Sequence, residues 1–537
     1  IRHTQDHSIM ASSNMAFNGI AVTPHHLATQ SAYSILKEGG TAMEAVVAAA
    51  ATLAVVYPHM NSIGGDGFWL IVPPHEEPFV IEASGAAGSL ATHDFFADHN
   101  SIPYRGPKAA ITVPGTVGGW QEAINYVTEC GYQKKSLTRL LADAIKYAEE
   151  GYPVTKSHIE DLEKFMIEGD VSEDFKQIYL PNGIIPKVGE RFYQKKLSAT
   201  LKRLATDGLS SFYQGELAKS IVDDIVALGM PITEADLMNY STVRKTPLRL
   251  LHSQGELLNT PAPTQGLVSL TILGILDKLM INGKDDGEFI HATVEATKQA
   301  FEIRDQYITD PCSMKTDPQM LLNDSAITKL ANNIDFNKVS RVGKGIGSGD
   351  TIWLGVMDSK GFSISFIQSI YHSFGSGVVL PNTGILWHNR GVAFTLEKNH
   401  ILTLKPGKKP FHTLNPAAAR LNDGRVLVYG TRGGDGQSQT QAAIFHRYVI
   451  KGMELQESVS APRWIYGRAT GKHDDTLKLE DRFPKEILEY LKDRGHDVDM
   501  LPKYSSLVGH AGILVRHPNG LLEGAFDPRS NGSAAGF

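Results

Sequence analysis

The hydrophobic residues near the start of the chain are arranged first as a buried helix and then as a buried strand. Thr41 and Glu44 have the spacing of a capping box, in which each side chain binds the other residue's backbone N–H. The apolar run at 45–56 has no polar face, so it predicts a helix surrounded by other elements until Pro58 ends it. The run FWLIV at 68–72 follows a glycine-rich turn and predicts a buried strand.

The pattern changes character near residue 340. Residues 135–340 are mostly helical in pattern, whereas residues 341–350 carry four glycines and few apolar residues, which is typical of a mobile, exposed loop. Two β-rich runs at 351–358 and 360–370 surround a turn and predict a β-hairpin. Further strands are predicted at 377–395 and 424–430. The fold class is therefore α/β, with its strands concentrated after residue 350.

Composition and charge narrow the function classes. Of 537 residues, 42% are hydrophobic and 20% charged, which is ordinary for a globular enzyme. A net charge of −6 argues against a nucleic-acid partner, since such a partner requires a clustered basic face. Cys130 and Cys312 match no metal or redox spacing, and we predict neither a metal nor another cofactor. The N-terminal residues lack an apolar stretch, and no run is long enough to span a bilayer, so we expect no membrane partner and a cytoplasmic protein.

The boundary between the glycine loop and the next strand offers one kind of chemistry. If the bond between Asp350 and Thr351 broke, Thr351 would gain a free α-amino group beside its own hydroxyl. The pKa of an α-amine is about 7.7–8.0, close to the value at which a general base works best. Nucleophile and base would then share one residue. Glycine loops before strands are common, so this pattern by itself leaves a purely structural loop open.

Several segments in order along the chain resemble the γ-glutamyltransferase family of N-terminal-nucleophile hydrolases. The similarity extends over nearly the whole chain, which makes chance similarity implausible. The matching segments lie at 19–70, 113–120 (VPGTVGGW), 260–267 (TPAPTQGL), 294–311, 350–386, 430–436 (GTRGGDG) and 524–537.

The resemblance implies a four-layer αββα sandwich that cleaves itself and uses an N-terminal threonine. The cut then falls between Asp350 and Thr351, and Thr351 is the nucleophile. Ser369 matches the family's second hydroxyl residue, beside the nucleophile's amino group. Gly433 and Gly434 match the glycine pair whose N–H groups form the oxyanion hole. The resemblance divides the chain into segments 1–350 and 351–537, which form one intertwined domain and stay associated after cleavage. It also allows oligomers of that two-fragment unit.

The chain departs from the family pattern where a γ-glutamyl head group would bind. The family's arginine for the glutamyl α-carboxylate is replaced by Ile81, and its acid for the α-amine by Ala393. Other positions of that pocket hold Tyr371, His412 and Thr413. Arg390, with Arg432 as a further candidate, offers a guanidinium fork suited to a carboxylate.

This altered pattern resembles the oxamate amidohydrolase and cephalosporin-acylase-like branch of the family. We therefore expect hydrolysis of a small acidic amide, with oxamate as the preferred substrate. A γ-glutamyl hydrolase or transferase with a rebuilt pocket and an acylase for glutaryl side chains stay open as alternatives. A catalytically dead binding protein is a further alternative, which Thr351, Ser369 and the glycine pair argue against.

Overall fold

Two β-sheets lie face to face between two layers of helices. The structure is a computed structural model that describes residues 12–281, 286–347, 349–469 and 472–537. The first eleven residues, which belong to the N-terminal stretch without an apolar run, lie outside the described residues. None of the described helices combines the length and the apolar character needed to cross a membrane.

The strands are numbered β1 to β19 in chain order. They are Asn14–Ala16, Gly19–Thr23, Asp66–Val72, Phe79–Ala83, Tyr152–Pro153, Arg191–Phe192, Val243–Lys245, Leu248–His252, Gly255–Asn259, Asp350–Asp358, Ser363–Tyr371, Ala417–Leu421, Val426–Gly430, Trp464–Ala469, Lys472–Glu480, Val498–Leu501, Gly512–Arg516, Leu522–Phe526 and Ser533–Gly536.

The α-helices are numbered α1 to α15 in the same way. They are His26–Lys37, Ala42–Val56, Thr116–Glu129, Leu137–Glu150, Lys156–Ile167, Glu173–Tyr179, Lys195–Asp207, Glu216–Leu228, Glu234–Met238, Gly266–Lys278, Asp286–Tyr307, Asp324–Asn332, Gly436–Phe445, Leu455–Ser460 and Lys485–Asp493. Short 3-10 helices lie at Asp94–Phe96, Pro181–Gly183, Leu209–Phe212, Pro311–Ser313, Pro318–Leu322, Arg390–Ala393 and Ser506–Val508, and a π-helical turn at His446–Ile450.

The alternation of side chains along β10 assigns its two faces to different layers. Ile352, Leu354 and Val356 pack against the helical layer that contains α2. Trp353 and Met357 point the other way, into the apolar core between the two sheets. Strands β12 and β13 of the second sheet face that same core on one side, and α10, α11 and α13 on the other. Side chains alternate between the two faces of a strand, and in both sheets the residues on each face lie in an apolar core. Each sheet is therefore buried on both faces, and the predicted αββα order is confirmed.

The predicted helix and hairpin are both confirmed. Helix α2 is buried along its whole length, and Thr41 and Glu44 form the expected capping box at its N-terminus. Strands β10 and β11 pair antiparallel, with Thr351 opposite Ser369 and Met357 opposite Ser363. The turn between them is closed by the Asp358 carboxylate, which accepts the N–H groups of Lys360 and Phe362 at 3.0 Å each.

The prediction of strands through 377–395 is wrong. Val379 and Leu386 form an isolated bridge, and the short helix Arg390–Ala393 follows it. Gly375, Gly377 and Gly384 adopt left-handed backbone conformations, which break an extended run. The apolar residues of this segment satisfy the pattern of a strand, but they pack as a folded loop.

Each of the large sheets takes strands from both sides of residue 350. Among the described residues the order is β19-β2-β10-β11-β3-β4-β7 in one sheet and β1-β18-β17-β13-β12-β9-β8 in the other. In the first sheet, β2 lies between β19 and β10 and pairs with both. The segments before and after residue 350 are therefore interleaved.

Candidate active site

The first residues of β10 place Thr351 next to Ser369 on β11. The backbone of Thr351 pairs with that of Ser369, and the register shifts between Asp350 and Thr351. Thr351 is 1% exposed, and its hydroxyl has no hydrogen-bond partner among the described residues. A buried hydroxyl without a partner is energetically unfavourable, and it is available for another role.

The hydroxyl of Ser369 is oriented by the backbone on both sides. It accepts the N–H of Tyr371 at 2.8 Å and donates to the carbonyl oxygen of Asp350 at 2.9 Å. That carbonyl belongs to the peptide bond before Thr351. A hydroxyl that donates to a carbonyl draws electron density from its carbon and makes the carbon more electrophilic.

Tyr371 and Arg390 form a stacked pair beside this hairpin end. Tyr371 has a left-handed backbone with φ of 79°, a conformation that non-glycine residues seldom adopt outside functional sites. The guanidinium of Arg390 lies 3.7 Å from the centre of the Tyr371 ring. Its Nε donates to the carbonyl of Phe411 at 2.9 Å, but Nη1 and Nη2 have no hydrogen-bond partner among the described residues.

The burial of Arg390 makes this lack of partners significant. Arg390 is 2% exposed, and burial lowers the pKa of its guanidinium, although an arginine stays charged in proteins. Two buried donors on a cation cost free energy unless an anion binds them. The arrangement is therefore suited to a small carboxylate.

His412 and Thr413 lie near Arg390 and are also unsatisfied. Both ring nitrogens of His412 and the hydroxyl of Thr413 have no hydrogen-bond partner in the described part of the chain. The closest acidic group to His412 is Asp66, with 3.6 Å between Nε2 and Oδ2. Burial, together with the positive charge of Arg390, holds the pKa of His412 well below its usual value. His412 is therefore neutral and leaves the charge of the pocket to Arg390.

Gly433 and Gly434 precede helix α13 in a fixed turn. Gly433 has φ of 103°, in the region that favours glycine. The carbonyl of Gly433 accepts the N–H of Gln437 at 2.8 Å, and that of Gly434 accepts Nε2 of Gln265 at 2.8 Å. No hydrogen bond to a described residue uses the N–H groups of these two glycines. They are available as donors to a ligand, as an oxyanion hole requires.

The glycine loop before Thr351 is anchored rather than freely exposed. The buried carboxylate of Asp435 accepts the N–H groups of Ile346 at 3.1 Å and Gly347 at 3.0 Å, and it lies 3.6 Å from Arg304. Lys344 is exposed, but the N–H of Gly345 bonds to Asp475 at 3.0 Å. The loop that was predicted to be mobile is therefore held, in its described residues, by carboxylates distant in sequence.

A cavity of about 320 Å³ opens beside the Tyr371–Arg390 pair. Ala393, the residue that replaces the family's acid, lines it together with Tyr371 and Phe411. Ile346 of the anchored loop and Arg304 complete the wall nearest to Asp435. The cavity is thus bounded on one side by the segment that precedes the predicted cut.

Of the predicted pocket residues, Tyr371 lines this cavity, and Arg390 packs against the Tyr371 ring at 3.7 Å without lining the cavity itself. His412 and Thr413 are not lining residues, and neither are Ile81 and Arg432. Ile81 lies in β4 with its side chain in the helix-covered core, 0% exposed. Arg432 pairs with the carboxylate of Asp350 instead of facing the cavity. Arg390 therefore has both outer nitrogens without a partner among the described residues, whereas those of Arg432 bind Asp350 and the carbonyl of Ser506.

Sequence reasoning missed several residues that hold the site together. Gln265 lies in the matching segment 260–267 (TPAPTQGL), and Asp435 directly follows the glycine pair. Both residues therefore lie in motifs of the resemblance, but no role was predicted for either. Ser373, which bonds to Asp350, lies in the matching segment 350–386 but had no role predicted for it, and Asp161, which bonds to Ser373, lies in no motif. They approach Asp350 only through the tertiary structure, and no local pattern predicts such a contact.

Comparisons with known proteins agree on one family for this chain. Residues 28–537 match the family model described as Gamma-glutamyltranspeptidase. An oxamate amidohydrolase proenzyme of Klebsiella pneumoniae is 56% identical, over 98% of this chain and 100% of that protein. A glutathione hydrolase-like proenzyme of Bacillus subtilis is 38% identical, over 96% of this chain and 98% of that protein.

Solved structures agree on the fold. A cephalosporin acylase from Bacillus halodurans superimposes with a TM-score of 0.90 at 31% identity, covering 100% of this chain and 99% of the other. A gamma-glutamyltranspeptidase from Helicobacter pylori matches with a TM-score of 0.53 at 28% identity, covering 59% of this chain and 92% of that chain.

Proposed function

This chain belongs to the gamma-glutamyltranspeptidase family and is a self-cleaving amidohydrolase, and from that premise we propose that it cuts itself before Thr351 and then hydrolyses oxamate to oxalate and ammonia. The relative that is 56% identical carries that activity in its name. The observation that carries the proposal is Arg390, a buried guanidinium with two unpaired nitrogens beside the candidate nucleophile's hairpin.

The two positions that resemble the family's ligands for a γ-glutamyl head group carry no charge in this chain, and the charged residues that line the cavity, Arg304 and Asp305, pair with each other at 2.9 Å. Such a head group brings an α-ammonium and an α-carboxylate, and each needs a partner when it is buried. Ala393 supplies no negative charge, and Ile81 is an apolar core residue. A ligand with one carboxylate next to its amide needs only Arg390. Oxamate has this composition.

The proposed mechanism uses the groups around the start of β10. The free α-amine of Thr351 takes the hydroxyl proton, and Oγ attacks the amide carbon of oxamate. The N–H groups of Gly433 and Gly434 stabilise the oxyanion, an effect worth roughly 3–4 kcal/mol per donor. The proton then passes to the leaving nitrogen, which departs as ammonia and leaves an oxalyl ester on Oγ. Water hydrolyses this ester to oxalate and restores the Thr351 hydroxyl, while Ser369 orients the amine.

Steady-state kinetics with three amides tests the substrate. We expect kcat/KM of the processed enzyme to be highest for oxamate, compared with a γ-glutamyl anilide and a glutaryl amide. Arg390→Met should reduce kcat/KM for oxamate by about 100-fold, since a charged hydrogen-bonded contact contributes roughly 1.5–3 kcal/mol. Arg249→Met, which removes an exposed arginine paired with Glu77, is the matched control and should leave the kinetics unchanged.

Two outcomes would change the assignment. A preference for the γ-glutamyl anilide would refute the oxamate proposal. A preference for the glutaryl amide would move the protein to the acylase function, which the structural similarity to a cephalosporin acylase supports as the second candidate. The proposal includes a cytoplasmic location and lasting association of the two fragments, which cell fractionation and native chromatography would test.

A further inference from the structure

The side chain of Asp350, the residue before the proposed cut, is enclosed by polar groups from three distant segments. One oxygen of its carboxylate pairs with Nη1 of Arg432, and the other accepts the hydroxyl of Ser373. Arg432 is held in turn, because its Nη2 donates to the carbonyl of Ser506 at 2.7 Å. The carboxylate therefore binds to groups that are themselves fixed.

A second carboxyl group completes this enclosure. Oδ2 of Asp161, on α5, lies 2.8 Å from the hydroxyl oxygen of Ser373. One hydroxyl proton cannot serve two carboxylate oxygens, so one of the two carboxyl groups must supply a proton of its own. Asp350 pairs with Arg432, which leaves Asp161 as the neutral partner. Burial and the nearby Asp350 charge both raise the pKa of Asp161, in agreement with this assignment.

We propose that Arg432, Ser373 and Asp161 form a pocket for the carboxylate of residue 350, and that this pocket positions the Asp350–Thr351 peptide bond for self-cleavage. The inference rests on the cut site of the proposed function. Arg432 and Ser373 hold the side chain of Asp350, and Asp161 holds Ser373. The three act as positioning residues, since none of them is hydrogen-bonded to the reacting carbonyl.

The pocket fixes the acyl side of the bond against the hydroxyls that act on it. The Asp350 carbonyl already receives the Ser369 hydroxyl at 2.9 Å, and the Thr351 hydroxyl has no partner among the described residues. Thr351 Oγ adds to the Asp350 carbonyl carbon, the C–N bond breaks, and the nitrogen receives the hydroxyl proton. Water then hydrolyses the ester, giving the Asp350 α-carboxylate and the free Thr351 hydroxyl and amine. A side chain anchored at residue 350 keeps this carbonyl within reach of the nucleophile.

The rate of self-cleavage in variants of the full chain tests the pocket. Purified precursor is followed by denaturing gel and by the mass of its fragments. Asp350→Asn and Arg432→Met should each slow cleavage by about tenfold or more, the effect of losing one charge-assisted hydrogen bond. Asp350→Glu and Arg432→Lys should recover part of the rate because they restore the charge. Lys344→Ala, an exposed residue of the same loop, is the control and should cleave at the wild-type rate.

The outcomes separate this inference from the cut site itself. If sequencing of the small wild-type fragment does not begin Thr-Ile-Trp-Leu, the cut site of the proposed function is wrong. If it begins there but Asp350→Asn cleaves at the wild-type rate, only the pocket is refuted. The melting temperature of each variant, measured in the uncut Thr351→Ala background, must match that of Thr351→Ala alone. If a slow variant also melts earlier and its conservative counterpart recovers no rate, the residue is structural and the positioning role is overturned.

Discussion

The residues of the candidate site differ in what their surroundings leave them free to do. Ser369 is occupied by two backbone groups, and Arg432 by Asp350. Thr351 and Arg390, by contrast, are buried with polar atoms that no described residue satisfies. Buried polar atoms without a partner also occur elsewhere among the described residues, but at this hairpin end they belong to a candidate nucleophile and a cation, which indicates a place suited to a ligand and a reaction.

Substitution of Thr351 tests its role as the nucleophile in both self-cleavage and amide hydrolysis. Thr351→Ala removes the hydroxyl that both reactions need, so we expect neither self-cleavage nor ammonia release. Thr351→Ser keeps the hydroxyl and should retain part of both. Ser369→Ala removes the donor to the Asp350 carbonyl and should slow each reaction without abolishing it, by about 10- to 100-fold. Gel analysis and an ammonia assay measure these effects, and ammonia release by Thr351→Ala at the wild-type rate would disprove the catalytic role.

At the scale of elements, the site depends on how the loop before β10 is held. Residues 346 and 347 donate their N–H groups to Asp435, which immediately follows the candidate oxyanion glycines. The N–H of Asp435 donates back to the carbonyl of Gly347 at 3.1 Å. One short segment therefore supports the glycine pair before α13 and also fixes the approach to the predicted cut.

Weakening this anchor should loosen the loop. Asp435→Asn keeps the shape of the side chain but replaces one accepting oxygen with a donor, so one loop N–H loses its partner. In the uncut Thr351→Ala protein we expect trypsin to cleave after Lys344 about five- to tenfold faster, as loss of a charge-assisted hydrogen bond implies. Asp423→Asn, at an exposed turn where Asp423 pairs with Arg425, is the control. Equal digestion rates for Asp435→Asn and its parent would show that the anchor does not hold the loop.

At the scale of the whole molecule, the interleaved sheets determine what happens after cleavage. Strand β2 belongs to segment 1–350, yet it pairs with β10 on one side and β19 on the other, both from segment 351–537. The core between the sheets also takes residues from both segments, such as Phe68 and Trp353. Separating the segments would expose that core and break the strand pairing, so each segment needs the other in order to stay folded.

The fragments should therefore remain together once the chain is cut. We expect residues 1–350 and 351–537 to elute as one species from a native sizing column and to appear as two bands on a denaturing gel. Incubation in about 6 M guanidinium, a concentration at which most domains are unfolded, should separate the two fragments. Elution of either fragment alone from the native column would contradict the interleaved arrangement.

Elements whose side-chain pattern is local can be predicted from the amino-acid sequence alone. The capping box and apolar run of α2, and the alternating residues of β10 and β11, are predicted because a helix and a strand have fixed periods. The family resemblance added Thr351 as the candidate nucleophile and Gly433–Gly434 as the candidate oxyanion hole. At 377–395 the apolar pattern fits a strand, but glycines with left-handed backbone conformations fold the segment into a loop, so the strand prediction is wrong.

Which polar groups have partners depends on how the elements pack together in three dimensions. The sequence offered Arg390 as the carboxylate ligand and left Arg432 as a possible second one; in the structure Asp350 occupies Arg432, whereas the outer nitrogens of Arg390 have no described partner. The contacts of Ser373 with Asp350 and with Asp161 likewise join segments far apart along the chain, as does that of Asp435 with the loop before β10. The periodicity of a helix or strand shows only on which face of its own element a residue lies. Which charge meets which depends on how the elements pack, and for this protein that packing decides which arginine remains free for a substrate.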